Sequence, residues 1–464
     1  MTSSDIREVA RVPWEAAGLD PAVLQALEVT GEAQLPSVYR VVDLATASIG
    51  AASLAASTLW EARGGPTAGA DVDRGHAAAA FLSERYYARA GEAPRSPWSP
   101  LAGDYATADG RFVRIHANFD HHRDAALAAL GMPPGPDTPR AAVETAVAGF
   151  DAEQLVEEII ARGGAASSWR TPGEWHAHPQ GEAIAGLPLI TIARLDAAPA
   201  EPLSASEAPL EGIRVLDLSR VLAGPICGRF LAAHGADVLR VSAPHLPTFE
   251  DLDRDTGFGK RSAFVDLRDE EGRATLRDLV ARADVFVQAY RPGSLGARGF
   301  SAHELAALRP GIVVVELSAY GHLGPWAGRR GFDSLVQMAS GIVATETAED
   351  GAAPTRSLPA QALDHGTGYL AALGTIAGLH RRHVEGGSWH VQVALARTGK
   401  WLEDLGHVER GQDVVAPEPA PYLMQTGDIT HVAPPGRING YAPRWARSAP
   451  EMGEHAPTWD EPGR

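Results

Sequence analysis

Cysteine is almost absent from this chain: Cys227 is the single one in 464 residues. No internal disulfide can form, and a cysteine-rich zinc site is excluded. Basic residues are short as well, with 41 Lys and Arg against 58 Asp and Glu, a formal net charge of −17. That balance argues against nucleic acid or an anionic membrane as a partner. No basic-then-apolar leader follows Met1, and no apolar run looks long enough to span a bilayer. The expectation is a soluble, cytoplasmic protein without a membrane partner. What the chain does have is material for a sizeable core, at 45% hydrophobic and 21% charged residues. Its length suggests two or three domains.

Residues 212–244 organise the rest. Val215-Leu216-Asp217-Leu218 is an apolar run of buried-strand length. Gly224-Pro225 breaks the chain, and Pro225 suits a first helical turn, where no amide donor is needed. Ile226, Phe230 and Leu231 recur at helical spacing, Gly235 ends the helix, and Val238-Leu239-Arg240-Val241 is a second strand. Strand, turn, helix and strand in about 30 residues make one βαβ unit, which predicts parallel pairing. The alternation continues with strands over 263–267, 284–288, 311–317 and 389–395 and helices between them. The pattern predicts an α/β fold: a large domain with a doubly wound, mostly parallel, Rossmann-like sheet, and a smaller α+β domain. Such sheets bind ligands beyond the carboxyl ends of their strands. Tyr290 with Arg291, and Tyr320, directly follow strands, and Lys260 lies in a nearby loop.

Upstream, Arg40, Val41, Asp43, Leu44 and Gly50 fall in gapless register with Arg214, Val215, Asp217, Leu218 and Gly224. This is either a decayed duplicate of the organising stretch or a chance match of short apolar strands. Residues 77–87 predict a helix, Ser96-Pro97-Trp98-Ser99-Pro100 excludes regular structure, and Asp350-Gly351 predicts a turn. Asp109-Gly110 between alternating apolar residues predicts a hairpin. Asp151 caps a predicted helix over 151–162, with Leu155, Val156, Ile159 and Ile160 on one face. Residues 197–209, rich in Ala, Pro and Glu, predict a linker.

The run Arg214-Val215-Leu216-Asp217-Leu218-Ser219, then Ala223-Gly224-Pro225 and Gly235-Ala236-Asp237-Val238, resembles the opening of the family III CoA-transferases. That family includes formyl-CoA transferase, the CaiB/BaiF proteins and α-methylacyl-CoA racemase. Similarity continues to about Trp401. The resemblance implies that residues 206–464 form the large domain with a C-terminal wrapping segment. It also implies that 1–205 holds a degenerate large-domain start and a small-domain-like segment, around the Tyr105-to-Arg111 hairpin and Trp175. In the family the small domain follows the large one; here it precedes it.

Asp364 stands where the family has its catalytic aspartate, ahead of a small-residue helix. A carboxylate can attack a thioester carbonyl and form a mixed anhydride, with no metal, prosthetic group or redox cofactor. A helix N-terminus is expected to keep such a carboxylate ionised. Spacing alone reads Asp364 rather as a helix cap. The resemblance further implies that Val221, Leu222, Lys260, Tyr290 and Tyr320 bind CoA, with Lys260 near its phosphates. Where the family has a glutamate after the second strand, Ser242 stands; Leu222 replaces a glutamine of formyl-CoA transferase, which speaks against a formyl or oxalyl substrate. Gln288 and Ala289 replace an acid and an asparagine. Phe332 replaces the racemase histidine and cannot shuttle a proton, although His365 and His322 could substitute.

His116, His121 and His122, like His176 and His178, lack acidic or cysteine partners at ligand spacing, so no metal is expected. Cys227 reads as a small buried filler. The implied activity is transfer of CoA between an acyl-CoA thioester and a carboxylic acid through an aspartyl mixed anhydride, by a homodimer. The alternatives are a non-catalytic relative that binds CoA or a partner, and a CoA-thioester isomerase or dehydratase.

Overall fold

The computed structural model describes residues 3–92, 98–348, 356–409 and 416–460. Ser96-Pro97 and the Asp350-Gly351 turn lie outside the described residues. Seven strands form the largest sheet. In chain order they are β1 (Thr191–Asp196), β2 (Arg214–Leu218), β3 (Asp237–Ser242), β4 (Lys260–Phe264), β5 (Val285–Gln288), β6 (Val313–Ser318) and β7 (Ser388–Ala394). Their spatial order is β4-β3-β2-β5-β6-β7-β1. All neighbours pair in parallel except β1, which runs antiparallel to β7. The direction of winding reverses between β2 and β5, and a crevice opens outside the carboxyl ends of strands at such a switch.

Both faces of this sheet are covered, which is why its strands read as unbroken apolar runs. Val215, Val285, Val313 and Val391 face helices Ala223–Ala233 and Ala362–Glu385. Leu216, Leu239, Phe286 and Val314 face the other way, toward helices Glu270–Val280 and Ala302–Leu308. Strand β4 begins at Lys260, three residues before the predicted start at 263. Two basic residues at its head enter the sheet because each has a buried or half-buried acid opposite: Lys260 meets Asp217, and Arg261 meets Asp237.

The stretch expected to copy strand β2 is instead a helix, Val41–Ala62, buried along almost its whole length. Its Ala-, Ser- and Leu-rich composition favours a helix, and small residues on its neighbour let the two lie close. A Cβ added at Gly366 would meet Leu44 Cδ2 at 3.1 Å. By length and composition this helix is apolar enough to cross a membrane, contrary to the sequence expectation, but it lies inside the protein. Its likeness is to a different part of the chain. Helix Val41–Ala62, strand Ala70–Asp73 and helix Arg74–Ala80 repeat the order of helix Ala362–Glu385, β7 and helix Leu395–Asp404. Strand Ala70–Asp73 pairs in parallel with Leu27–Thr30 as β7 pairs with β6. Asp43 and Asp364 are each the third residue of their helix.

A smaller α+β unit precedes the large sheet. Strands Gly103–Ala106, Phe112–Ile115 and Ala166–Ser168 pair antiparallel, with Gly110 at φ 74° in the turn that Asp109-Gly110 predicted. Asp151 caps helix Ala152–Ala161 by accepting from the amides of Glu153 and Gln154. Val113, Ile115, Leu155 and Ile159 share its separate core. Arg114 docks the unit. Its guanidinium donates to both Asp104 carboxylate oxygens, at 2.6 and 2.7 Å, and to Ser334 O at 3.1 Å in helix Asp333–Ala339.

A boundary at residue 205 does not separate two bodies, because β1 belongs to the large sheet. The segment read as a linker is fastened: Arg63 donates to the carbonyls of Ser204, Pro209 and Glu211. The C-terminal segment wraps over the large sheet's helices and strands. Trp445 Nε1 donates to Arg229 O, the His455 amide to Ser262 O and Trp459 Nε1 to Leu279 O.

Candidate active site

Asp217, the last residue but one of strand β2, holds the next loop. Its Oδ1 accepts from the Ser219 amide at 3.0 Å and from the Ser219 hydroxyl. Its Oδ2 accepts from Lys260 Nζ at 2.7 Å, and Lys260 also donates to Pro225 O at 2.8 Å. Both side chains of this pair are fully buried. Gly228 makes room, since a Cβ there would lie 2.5 Å from Asp217 Oδ2. So tied, the loop holds Val221 at φ 69°, the one non-glycine residue with positive φ among the described residues. A β-branched residue in the left-handed region is strained, and such strain clusters at functional sites.

Val221 and Leu222 separate two cavities and line both, together with Phe332 and Asp364. One, of about 390 Å³, lies over the carboxyl ends of β2 and β5 and is walled by Arg220, Tyr290, Arg291, Arg329, Arg330 and Phe119. The other, of about 440 Å³, is walled by Tyr87, Ala88, Trp98, His116, Phe249 and Leu252.

Asp364 sits in the first turn of helix Ala362–Glu385. Among the described residues its carboxylate accepts no hydrogen bond. The helix N-terminus is already taken: Asp333 Oδ2 accepts from the amides of Leu363 and Asp364 at 2.8 and 3.0 Å, and its Oδ1 from Gln337. The expectation that the helix end keeps Asp364 ionised is therefore corrected. Burial, then the negative charges of Asp333 and Glu84, raise its pKa well above the usual carboxylate range. Burial also raises Asp333, though the hydrogen bonds it accepts oppose this. Burial pushes Glu84 up too, but its bond from His365 Nε2 (3.1 Å) and that ring's charge outweigh it and leave Glu84 low.

Three arginines of the smaller cavity, Arg220, Arg291 and Arg330, have no acidic partner among the described residues. Arg220 donates to Pro247 O and Arg330 to Gly163 O. Burial lowers the pKa of both, and Arg291 adds repulsion at Arg330. In a chain of formal charge −17, such a concentration of unmatched positive charge suits an anion with several oxygens.

The sequence-predicted residues divide. Asp364, Val221, Leu222 and Tyr290 come together around the cavities. Lys260 does not: its ammonium is locked beneath helix Ala223–Ala233 by Asp217, so it supports the loop and does not reach a phosphate. Tyr320 does not either. It is buried edge-on to Trp326, and its neighbours Ser318 and Ala319 line the cavity instead. His365 is buried against Phe81 and Glu84, and neither it nor His322 lines either of these two cavities. Cys227 is buried 3.9 Å from the Thr375 hydroxyl, with its thiol pushed up to about 12 by burial.

Several wall residues went unread in the sequence. His116 stacks on Phe332 with ring centroids 3.7 Å apart, and burial holds it down to about 4, so it is neutral. Tyr87 and Glu84 are placed by a buried network in which Ser83 donates to Asp255 and accepts from Arg229. Arg220 and Arg330 were visible as residues, but nothing in their spacing marked them as converging.

Residues 210–420 match the family described as CoA-transferase family III. An acetyl-coenzyme A transferase of Hypoxylon pulicicidum is 29% identical over 321 residues, covering 64% of this chain and 53% of that one. A probable fatty acyl-CoA transferase of Mycobacterium tuberculosis is 31% identical over 237 residues, covering 47% and 60%. A crystal structure from that organism aligns at 30% identity with a TM-score of 0.39, covering 43% of this chain and 59% of the other. A succinyl-CoA–D-citramalate CoA-transferase of Chloroflexus aurantiacus is 34% identical over 199 residues, covering 40% and 49%. The chain thus spans about half to three fifths of the length of these curated relatives. Glu84, Tyr87, His116 and Phe119 lie outside the matched stretch.

Proposed function

We propose that this chain transfers CoA between an acyl-CoA thioester and a carboxylic acid, with Asp364 as nucleophile. The reading is carried by one observation: an unpartnered carboxylate stands where an arginine-walled cavity meets an apolar one. Nucleotide and pantetheine phosphates suit Arg220, Arg291 and Arg330, and the base suits Tyr290. The thioester carbonyl then lies at Asp364. A carboxylate oxygen attacks that carbon, the C–S bond breaks, and CoA leaves as thiolate, giving a mixed anhydride. The thiolate attacks the aspartyl carbonyl, which frees the donor acid and leaves an aspartyl thioester. The acceptor carboxylate attacks that thioester, and the returning thiolate takes the new acyl group and restores Asp364. Bonds and charge balance without a further reagent. The strained Val221 backbone beside Asp364 is suited to meeting a developing oxyanion.

The raised pKa of Asp364 means that the nucleophile must lose a proton before it can act. Burial and the neighbouring carboxylates oppose that loss. The same shift, with the departures at Ser242, Leu222 and Ala289, favours a second reading in which the chain binds CoA without turnover. Exchange of labelled CoA against a panel of acids, read by mass, separates them. The first reading expects exchange that disappears in Asp364→Ala while CoA still binds. Exchange by that variant at the wild-type rate sinks it, and binding without exchange against every acid supports the second. A homodimer in the cytoplasm remains part of the proposal.

A further inference from the structure

We propose that the acyl group handled by this chain is bulky, apolar and monocarboxylic, and that it occupies the cavity walled by Tyr87, Phe249, Leu252 and Phe332. The inference rests on the CoA-transfer reading and adds to it the class of substrate.

A thioester has two arms, and its carbonyl carbon must reach Asp364. Asp364 lies where the two cavities meet, so one arm enters each. The unmatched arginines surround only the smaller cavity, which assigns the phosphate-bearing arm to it. The acyl arm then enters the other, whose volume is about 440 Å³. A liquid water occupies about 30 Å³, so that space holds roughly fifteen groups of that size, and it falls in the range of cavities that enclose drug-sized ligands. A formyl or acetyl group would leave most of it without contacts, and each missing contact is lost attraction. The walls match an apolar occupant. Phe332 lies flat against the neutral ring of His116, Phe249 packs against Phe119 at 4.5 Å between centroids, and Leu222 closes the end nearest Asp364.

The charges on this side argue against a second carboxylate on the acyl group. Glu84, Asp333 and Asp364 are already crowded at the inner end, and Glu92 and Asp251 line the rest. The cations there are engaged: Arg89 pairs with Asp428 at 2.7 Å, and Arg85 faces Glu84 at 3.9 Å. A succinyl-type group would bring another negative charge into this set, with no unengaged cation to meet it among the described residues of the wall.

The test is calorimetric binding of acetyl-, succinyl-, decanoyl- and phenylbutyryl-CoA to the unreactive Asp364→Asn protein, followed by exchange rates on the wild type. Decanoyl- and phenylbutyryl-CoA are expected to bind on the order of tenfold or more tightly than acetyl-CoA, since two buried methylenes suffice for that factor. Succinyl-CoA is expected to bind no better than acetyl-CoA. Ala88 is exposed on the cavity wall, so Ala88→Trp should fold. It is expected to erase the preference for bulky groups over acetyl. Equal affinities for all four ligands, or tightest binding of succinyl-CoA, overturn the inference even where exchange through Asp364 is intact. A preserved size preference without exchange on the wild type leaves the cavity assignment standing and removes the transferase reading.

Discussion

Helices Val41–Ala62 and Ala362–Glu385 lie against each other inside the molecule, each followed by a strand and a further helix, and each carries an aspartate as its third residue. The surroundings of the two carboxylates differ completely. Asp43 Oδ1 is 2.7 Å from Arg74 Nη2, with Arg40 at 3.8 Å from its other oxygen, and both side chains of the close pair are buried. Among the described residues Asp364 pairs with no cation and accepts no hydrogen bond, and it opens onto two cavities. The same place on a like scaffold thus gives a neutralised structural ion pair in one case and a high-energy, accessible carboxylate in the other. Position on a helix does not make a nucleophile; the partner across from it decides.

Substitutions break this comparison from either side. The largest effect is expected for Asp364→Ala, which should lower CoA exchange by a factor on the order of 10³ or more, measured under saturating acyl-CoA. Asp43→Ala should leave exchange in the surviving folded protein near the wild-type rate, but strand Arg74 as an unpaired buried charge. A loss of about 3–5 kcal/mol in urea unfolding is expected. Joint replacement, Asp43→Leu with Arg74→Met, should recover most of that loss. If Asp43→Ala instead abolishes exchange without loss of stability, the two carboxylates are not as different as their surroundings say.

A subtler effect concerns protons. A carboxyl whose folded pKa is raised binds its proton up to higher pH, and only the ionised form attacks. The exchange rate is therefore expected to climb as pH rises through and above the usual carboxylate range. Asp333→Asn removes a neighbouring negative charge, so the rise should move to lower pH, read from the pH profile of kcat/KM. The linkage to stability has the opposite sign. The charged form of Asp364 is penalised in the folded state, so this group's contribution falls as pH climbs from the ordinary aspartate value toward the raised one. The smallest change is expected for Arg291→Ala, an exposed side chain: roughly a tenfold or smaller loss of CoA affinity, growing weaker in high salt.

The parallel strands of the large sheet were legible because they are largely buried on both faces and bounded by Gly, Pro or a capped helix, whereas the partly exposed edge strand β1 was not read. Val215 to Leu218 and Val285 to Gln288 could hardly be anything else. Asp364 was legible through its motif. Lys260 misled because a lysine after glycines reads as a loop charge, whereas Asp217, far away in sequence, draws it into the sheet. Helix Val41–Ala62 misled because four residues of apolar run suit a strand, and only the long small-residue stretch beyond them decides for a helix. The apolar cavity was not legible at all. Tyr87, His116 and Phe249 come from three separate stretches, and no period or motif links side chains that only tertiary packing brings to one wall.

One feature of the fold bears on how the protein is made. Strand Ala70–Asp73 is the middle strand of its sheet, and one of its two neighbours, Arg437–Ile438, comes from near the far end of the chain. Helix Val41–Ala62, apolar enough to enter a lipid bilayer, likewise waits for Ala362–Glu385. At typical rates of translation that wait is on the order of half a minute. For that time the growing chain presents a greasy helix and an unfinished sheet edge outside the ribosome, which makes it a natural client for chaperones that shelter nascent polypeptides.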